Sequence, residues 1–169
     1  MSKASNVVLI GMPGAGKSTL GVVLAKILNK DFLDADLVIQ GTCGKTLQSI
    51  IDAEGPEAFI QIENDILCGI RVENSIIATG GSAVYSDEAM RHLGSIGTVV
   101  YLKISYESLI DRLADFQDRG VVLRNGIAMS LRDLYEERKP LYEKYADITV
   151  NVDDLSITAA ARKVASAVS

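Results

Sequence analysis

The chain has no tryptophan, one histidine, two cysteines and three prolines in 169 residues. Each scarcity excludes something. Cys43 and Cys68 are too few for a disulfide framework and lack C-x-x-C spacing. With His92 as the single imidazole, a zinc site is not expected, and both thiols read as small apolar packing residues. Few prolines beside 14 glycines exclude collagen-like and proline-rich architectures. There is no basic excess either. Seventeen Lys and Arg face 22 Asp and Glu, a net charge of −5, which argues against a general binder of nucleic acid or anionic membranes. The longest apolar runs fall well short of the ~20 residues a membrane helix needs, and Met1–Ser5 is short and polar, unlike a secretion signal. The expectation is a cytoplasmic protein with a small-molecule partner.

What is present is a 48% hydrophobic, 23% charged chain of one-domain length, able to bury roughly 70% of its unfolded surface. Short β-branched runs alternate with helical stripes. Strands are expected at Asn6–Ile10, Asp31–Leu33, Ser75–Ala78, Thr98–Leu102 and Ile148–Asn151. Helices are expected at Lys17–Asn29, about Asp36–Gln40, Thr46–Ile70 broken by Gly55-Pro56, Tyr106–Phe116, Met129–Tyr145 and Ser156–Val168. Strands separated by helices imply β-α-β units and a parallel sheet covered on both faces. No repeat, linker or low-complexity tract interrupts residues 1–169. The polar, Gly-containing stretch Gln117–Gly126 reads either as a mobile lid or as a surface connection.

Gly11-Met12-Pro13-Gly14-Ala15-Gly16-Lys17-Ser18 matches G-x-x-x-x-G-K-[ST] at every position, between an expected strand and an expected helix. Glycines let the backbone curl so that N–H groups point at phosphate oxygens. Lys17 brings a positive charge to the β- and γ-phosphates and Ser18 a hydroxyl to Mg²⁺. The helix N-terminus adds its own partial charge. Nucleoside triphosphate binding follows.

The rest of the chain bears on where the phosphoryl group goes. Asn29-Lys30-Asp31-Phe32 and Asp52-Ala53-Glu54-Gly55 fail as GTPase motifs in sequence or position. Asp34-Ala35-Asp36 instead sets two carboxylates at a strand's carboxyl end, where open α/β sheets bind ligands. One carboxylate suits Mg²⁺ and the other a substrate hydroxyl proton, while Asp36 also reads as a plain helix N-cap. Thr79-Gly80-Gly81-Ser82 reads either as a close approach of ligand to backbone or as a plain strand-to-helix turn. Arg112, Arg119, Arg124 and Arg138 gather in the C-terminal half, where arginine beside a transferring phosphoryl contributes on the order of 10³–10⁵ in rate.

Taken together, Gly11–Ser18, Leu33-Asp34-Ala35-Asp36, Gly80-Gly81, Val99-Val100-Tyr101-Leu102 and Arg138-Lys139-Pro140-Leu141-Tyr142 resemble the shikimate kinase family over essentially the whole chain. The resemblance implies an α/β P-loop kinase fold with a five-stranded parallel sheet, substrate-binding helices over about 37–69 and a mobile lid over about 117–126. It implies phosphorylation of a hydroxyl of shikimate by ATP with Mg²⁺; a monomer is expected. Gly14, Ala15, Gly16, Lys17, Ser18 and Thr19 would hold the nucleotide, with Arg112 stacking on adenine. Ser18 and Asp34 would serve the metal. Asp36, Gly80, Gly81 and Arg138 would bind the acceptor. Lys17, Asp36 as base and Arg119 in the lid would carry catalysis.

Three departures stand out. The family's Phe-Arg pair reads Phe59-Ile60, its third glycine is Ser82, and its lid Arg-Pro-Leu-Leu is Arg119-Gly120-Val121-Val122. An arginine–carboxylate contact is worth ~1.5–3 kcal/mol, so Ile60 should weaken shikimate binding by roughly 10- to 150-fold. Either Arg124 replaces the charge or the acceptor is a different, less acidic polyol. A non-catalytic nucleotide-binding module is the reading from another class.

Overall fold

The computed structural model describes residues 5–113 and 130–169. Five strands among these form one parallel sheet: β1 (Asn6–Ile10), β2 (Asp31–Asp34), β3 (Ser75–Ala78), β4 (Gly97–Lys103) and β5 (Ile148–Asn151). Their spatial order is β2-β3-β1-β4-β5. Every residue of β1 is buried, which fits a central strand paired on both edges. Val7 lies opposite Ile76 on one side and Thr98 on the other. Asn6 locks the amino end of the sheet, donating from Nδ2 to Val72 O at 2.8 Å and to Ile96 O at 2.9 Å. Its Oδ1 accepts from Ser75 N at 2.9 Å.

Helices cover the sheet: α1 (Lys17–Leu28), α2 (Ala35–Cys43), α3 (Leu47–Cys68), α4 (Asp87–Ile96), α5 (Tyr106–Leu113), α6 (Leu131–Tyr145) and α7 (Ile157–Val168). α3 bends where the sequence requires it, with Gly55 at φ 88° and ψ 164° ahead of Pro56. α2 runs on past Gln40 to Cys43, because the left-handed stop it needs comes only at Gly44, φ 67°. α4 is a helix that the strand-and-stripe reading passes over. It buries Ala89, Met90 and Leu93 and presents polar residues elsewhere, a stripe only two turns long.

Two hydrophobic clusters result. The large one lies between sheet and helices. The small one, Ile39, Ile50 and Phe59 with Ile60, Ile62 and Ile66 against it, is the private core of α2 and α3. α2 and α3 are thus packed against each other through a cluster of their own. No described helix is long and apolar enough to cross a membrane. The 117–126 segment, with Arg119 and Arg124, lies outside the described residues.

Candidate active site

The strand order reverses around β1, with β2 and β3 to one side and β4 and β5 to the other. Ligand crevices of open α/β sheets form at such a point, outside the carboxyl ends of the strands. A cleft of about 380 Å³ opens there.

The Gly11–Ser18 loop leaves β1 and enters α1. Gly14 (φ 89°) and Gly16 (φ 94°) hold left-handed conformations that glycine adopts without strain. α1 has no acidic residue in its first turn, so nothing on it competes for the helix N-terminus. Lys17 is buried and folds back over the loop, donating to Gly11 O at 2.8 Å and Met12 O at 2.9 Å. Arg112 reaches the loop from α5, donating to Ala15 O at 3.1 Å and Val152 O at 3.4 Å.

Asp34 ends β2 and divides its two oxygens. Oδ2 accepts from Ser18 Oγ at 3.0 Å. Oδ1 caps α2, accepting from Asp36 N at 3.0 Å and Leu37 N at 3.4 Å. The helix cap expected of Asp36 therefore belongs to Asp34, because the chain turns two residues earlier, at the end of β2. Asp36 sits in the first turn instead and lines the cleft. Ser18 and Asp34 offer a hydroxyl and a carboxylate beside the phosphate loop, oxygen donors that suit Mg²⁺, which takes few protein ligands and keeps phosphate and water oxygens for the rest.

Gly80, Gly81 and Ser82 after β3, and Arg138 from α6, also line the cleft. Arg138 is 1% exposed. Its Nε donates to the Tyr85 hydroxyl at 3.1 Å, and its guanidinium carbon lies 5.2 Å from that ring's centroid. Tyr85 in turn donates to Glu137 Oε2 at 2.7 Å. Burial pushes the Tyr85 phenol above its usual range, so it stays a neutral relay. Gly81 is the tightest point. A Cβ there would stand 2.7 Å from Pro13 Cδ and 2.8 Å from Arg138 Nη1, and Tyr142 donates to its carbonyl at 2.7 Å.

Ser82 does not crowd the cleft as a side chain at a close-approach position would. Its hydroxyl turns to Glu63, donating to Oε1 at 2.7 Å. Glu63 is the site residue the sequence reading missed. It lies four residues after Phe59 on α3, past the Pro56 bend, so both side chains face the cleft. That spacing was the available signal. Ile60 packs into the small core, and Arg138 is the one arginine lining the cleft among the described residues.

Phosphate loop and acceptor pocket share one wall at Gly81, the architecture of a P-loop kinase that carries phosphoryl groups from ATP to a small molecule. The chain belongs to the shikimate kinase family, whose model, described as "Shikimate kinase", matches residues 13–169. It is 38% identical over 165 residues to the shikimate kinase of Vibrio parahaemolyticus, covering 97% of this chain and 96% of that one. Against the shikimate kinase of Francisella tularensis subsp. novicida the identity is 36% over 166 residues, covering 97% and 94%. The solved structure of Acinetobacter baumannii shikimate kinase in complex with shikimate superposes with a TM-score of 0.84 at 31% identity, covering 95% of this chain and 90% of that one.

Proposed function

We propose that this chain transfers the γ-phosphoryl group of ATP to a ring hydroxyl of shikimate, giving shikimate 3-phosphate. The observation that carries the reading is one cleft lined by Lys17 and the phosphate loop together with Asp36, Gly80, Gly81 and Arg138. A donor phosphate and an acceptor hydroxyl can meet only where such groups converge.

In this reading the backbone N–H groups of Gly14 through Thr19 cradle the phosphates, and Arg112 lies beside adenine. Lys17 exchanges the Gly11 and Met12 carbonyls for phosphate oxygens and offsets charge there. Ser18 and Asp34 would hold Mg²⁺, which supplies further charge neutralisation at the phosphates when bound. Asp36 orients the acceptor hydroxyl and takes its proton. Arg138, oriented by Tyr85, pairs with the acceptor's carboxylate, and Gly80 and Gly81 let the ring lie against backbone. Arg119 adds positive charge to the transferring group. The chain acts as a cytoplasmic monomer.

The test is coupled ADP release over shikimate, related acids, sugars and polyols. Shikimate-stimulated turnover is expected, with a loss of at least ~100-fold in kcat for Asp36→Asn and unchanged nucleotide affinity. Tight nucleotide binding with no stimulation by any acceptor would sink the kinase reading. Stimulation by a neutral polyol alone would move the substrate.

A further inference from the structure

One polar atom in the cleft has no role in the scheme above. Glu63 is 1% exposed, and its Oε2 is buried without a hydrogen-bond partner among the described residues. Native proteins rarely keep a buried carboxylate oxygen without a donor. A carboxyl group escapes that penalty by carrying a proton, which makes the oxygen a donor in need of an acceptor.

Position supplies the acceptor. On the bare face of Gly80, a Cβ would stand 2.8 Å from Asp36 Oδ1 and 2.9 Å from Glu63 Oε2, so the two oxygens converge on the same spot. Two ionised carboxylates would repel there, whereas one proton between them binds them together. Ile60, one turn earlier on α3, packs among aliphatic residues and brings no cation to offset a second charge. The groups around Glu63 are Lys17 from α1, Asp36 from α2, Ser82 from the turn after β3, and Arg138 and Tyr142 from α6. Burial is the largest influence and raises its pKa to about 7. The Ser82 hydrogen bond opposes it, Asp36 adds to it, and Arg138 and Lys17 lower it.

We propose that Ser82 and Glu63 form a positioning pair for Asp36, in which the Ser82 hydroxyl holds Oε1 and a protonated Oε2 donates to Asp36 Oδ1. The pair fixes the carboxylate that faces the acceptor hydroxyl, and Glu63 keeps its proton throughout the reaction. The inference rests on the kinase reading for its kinetic consequence, though not for the proton itself. Above the Glu63 pKa the donor is lost, the carboxylates repel, and Asp36 loses its orientation.

Glutamine copies the neutral form, since its carbonyl accepts from Ser82 and its amide donates to Asp36. The experiment is the pH profile of kcat/KM for shikimate in the unsubstituted chain, Glu63→Gln, Glu63→Ala and Ser82→Ala. The unsubstituted chain should lose activity above pH ~7, by about tenfold per unit. Glu63→Gln should lack that limb and exceed Glu63→Ala by roughly 10- to 100-fold, the difference falling in kcat. Ser82→Ala should move the limb to higher pH, because Ser82 favours the charged form. A Glu63→Gln profile that keeps the limb, or that falls as low as Glu63→Ala, overturns the proposal.

Infrared difference spectra across the same pH range separate the two readings. A protonated carboxyl band that titrates near pH 7 and vanishes in Glu63→Gln supports the pair even if shikimate gives no turnover. In that case only the acceptor assignment fails. Absence of the band overturns the pair whatever the activity.

Discussion

Asp34 does two jobs with one carboxylate: Oδ2 accepts from Ser18 Oγ at 3.0 Å while Oδ1 closes the N-terminus of α2. The phosphate loop and α2 are joined through this group, since Ser18 opens α1 and α2 carries Asp36.

The two jobs separate by substitution. Asparagine caps helices about as well as aspartate, whereas alanine costs ~1 kcal/mol. Asp34→Asn should therefore keep the melting temperature and raise the Mg²⁺ concentration for half-maximal rate by at least ~10-fold. Asp34→Ala should do the same and also lower the melting temperature by several degrees. Equal Mg²⁺ dependence in Asp34→Asn and the unsubstituted chain would remove Asp34 from the metal site.

Arg138 is buried, donates through Nε to Tyr85 and lies over its ring. A lysine ammonium has neither the planar fork nor the stacking surface. Arg138→Lys should raise KM for shikimate by ~10-fold or more, with ATP affinity within about twofold. Steady-state kinetics in each substrate checks both halves. Equal losses for ATP and shikimate would mean that Arg138 supports the fold instead.

Ile60 offers a gain of function. Ile60→Arg places a guanidinium on the turn of α3 that precedes Glu63, at the cost of one aliphatic side chain from the small core. KM for shikimate should fall by roughly tenfold, with a melting temperature a few degrees lower. An unchanged KM would show that the carboxylate is held from elsewhere.

Much of this was legible in the sequence, and the misses have physical causes. The phosphate loop reads directly because each of its positions answers a local demand of backbone or charge. β1 and β4 read as strands because buried parallel strands are continuous apolar runs. α4 escaped because Ala89, Met90 and Leu93 make too short a stripe to show a period. The capping role fell to Asp34 instead of Asp36 because the residue at which a strand turns into a helix is set by sheet register, here Asp34 opposite Ala78. Glu63 escaped because its meaning lies in Ser82 and Asp36, which only the folded chain brings to it. Ser82 was visible as a departure, but a sequence shows only that a side chain was added, not which way it turns.

Glu63 also makes stability depend on pH, with a definite sign. Its folded-state pKa of about 7 lies above the ordinary 4.5, so the fold favours the protonated form. Below pH ~4.5 the group carries no penalty. As pH rises toward 7 the unfolded chain ionises first and stability falls, levelling off above the folded pKa at a loss of about 3 kcal/mol. Glu63→Gln should remove that part of the decline. Urea unfolding of both proteins between pH 4.5 and 8 measures the difference. Parallel curves would place the Glu63 pKa at its ordinary value.

Gly81 stands between Pro13 of the phosphate loop and Arg138 of α6, with no room for a methyl group against either. Any side chain larger than glycine at this position must displace either the phosphate loop or the buried guanidinium.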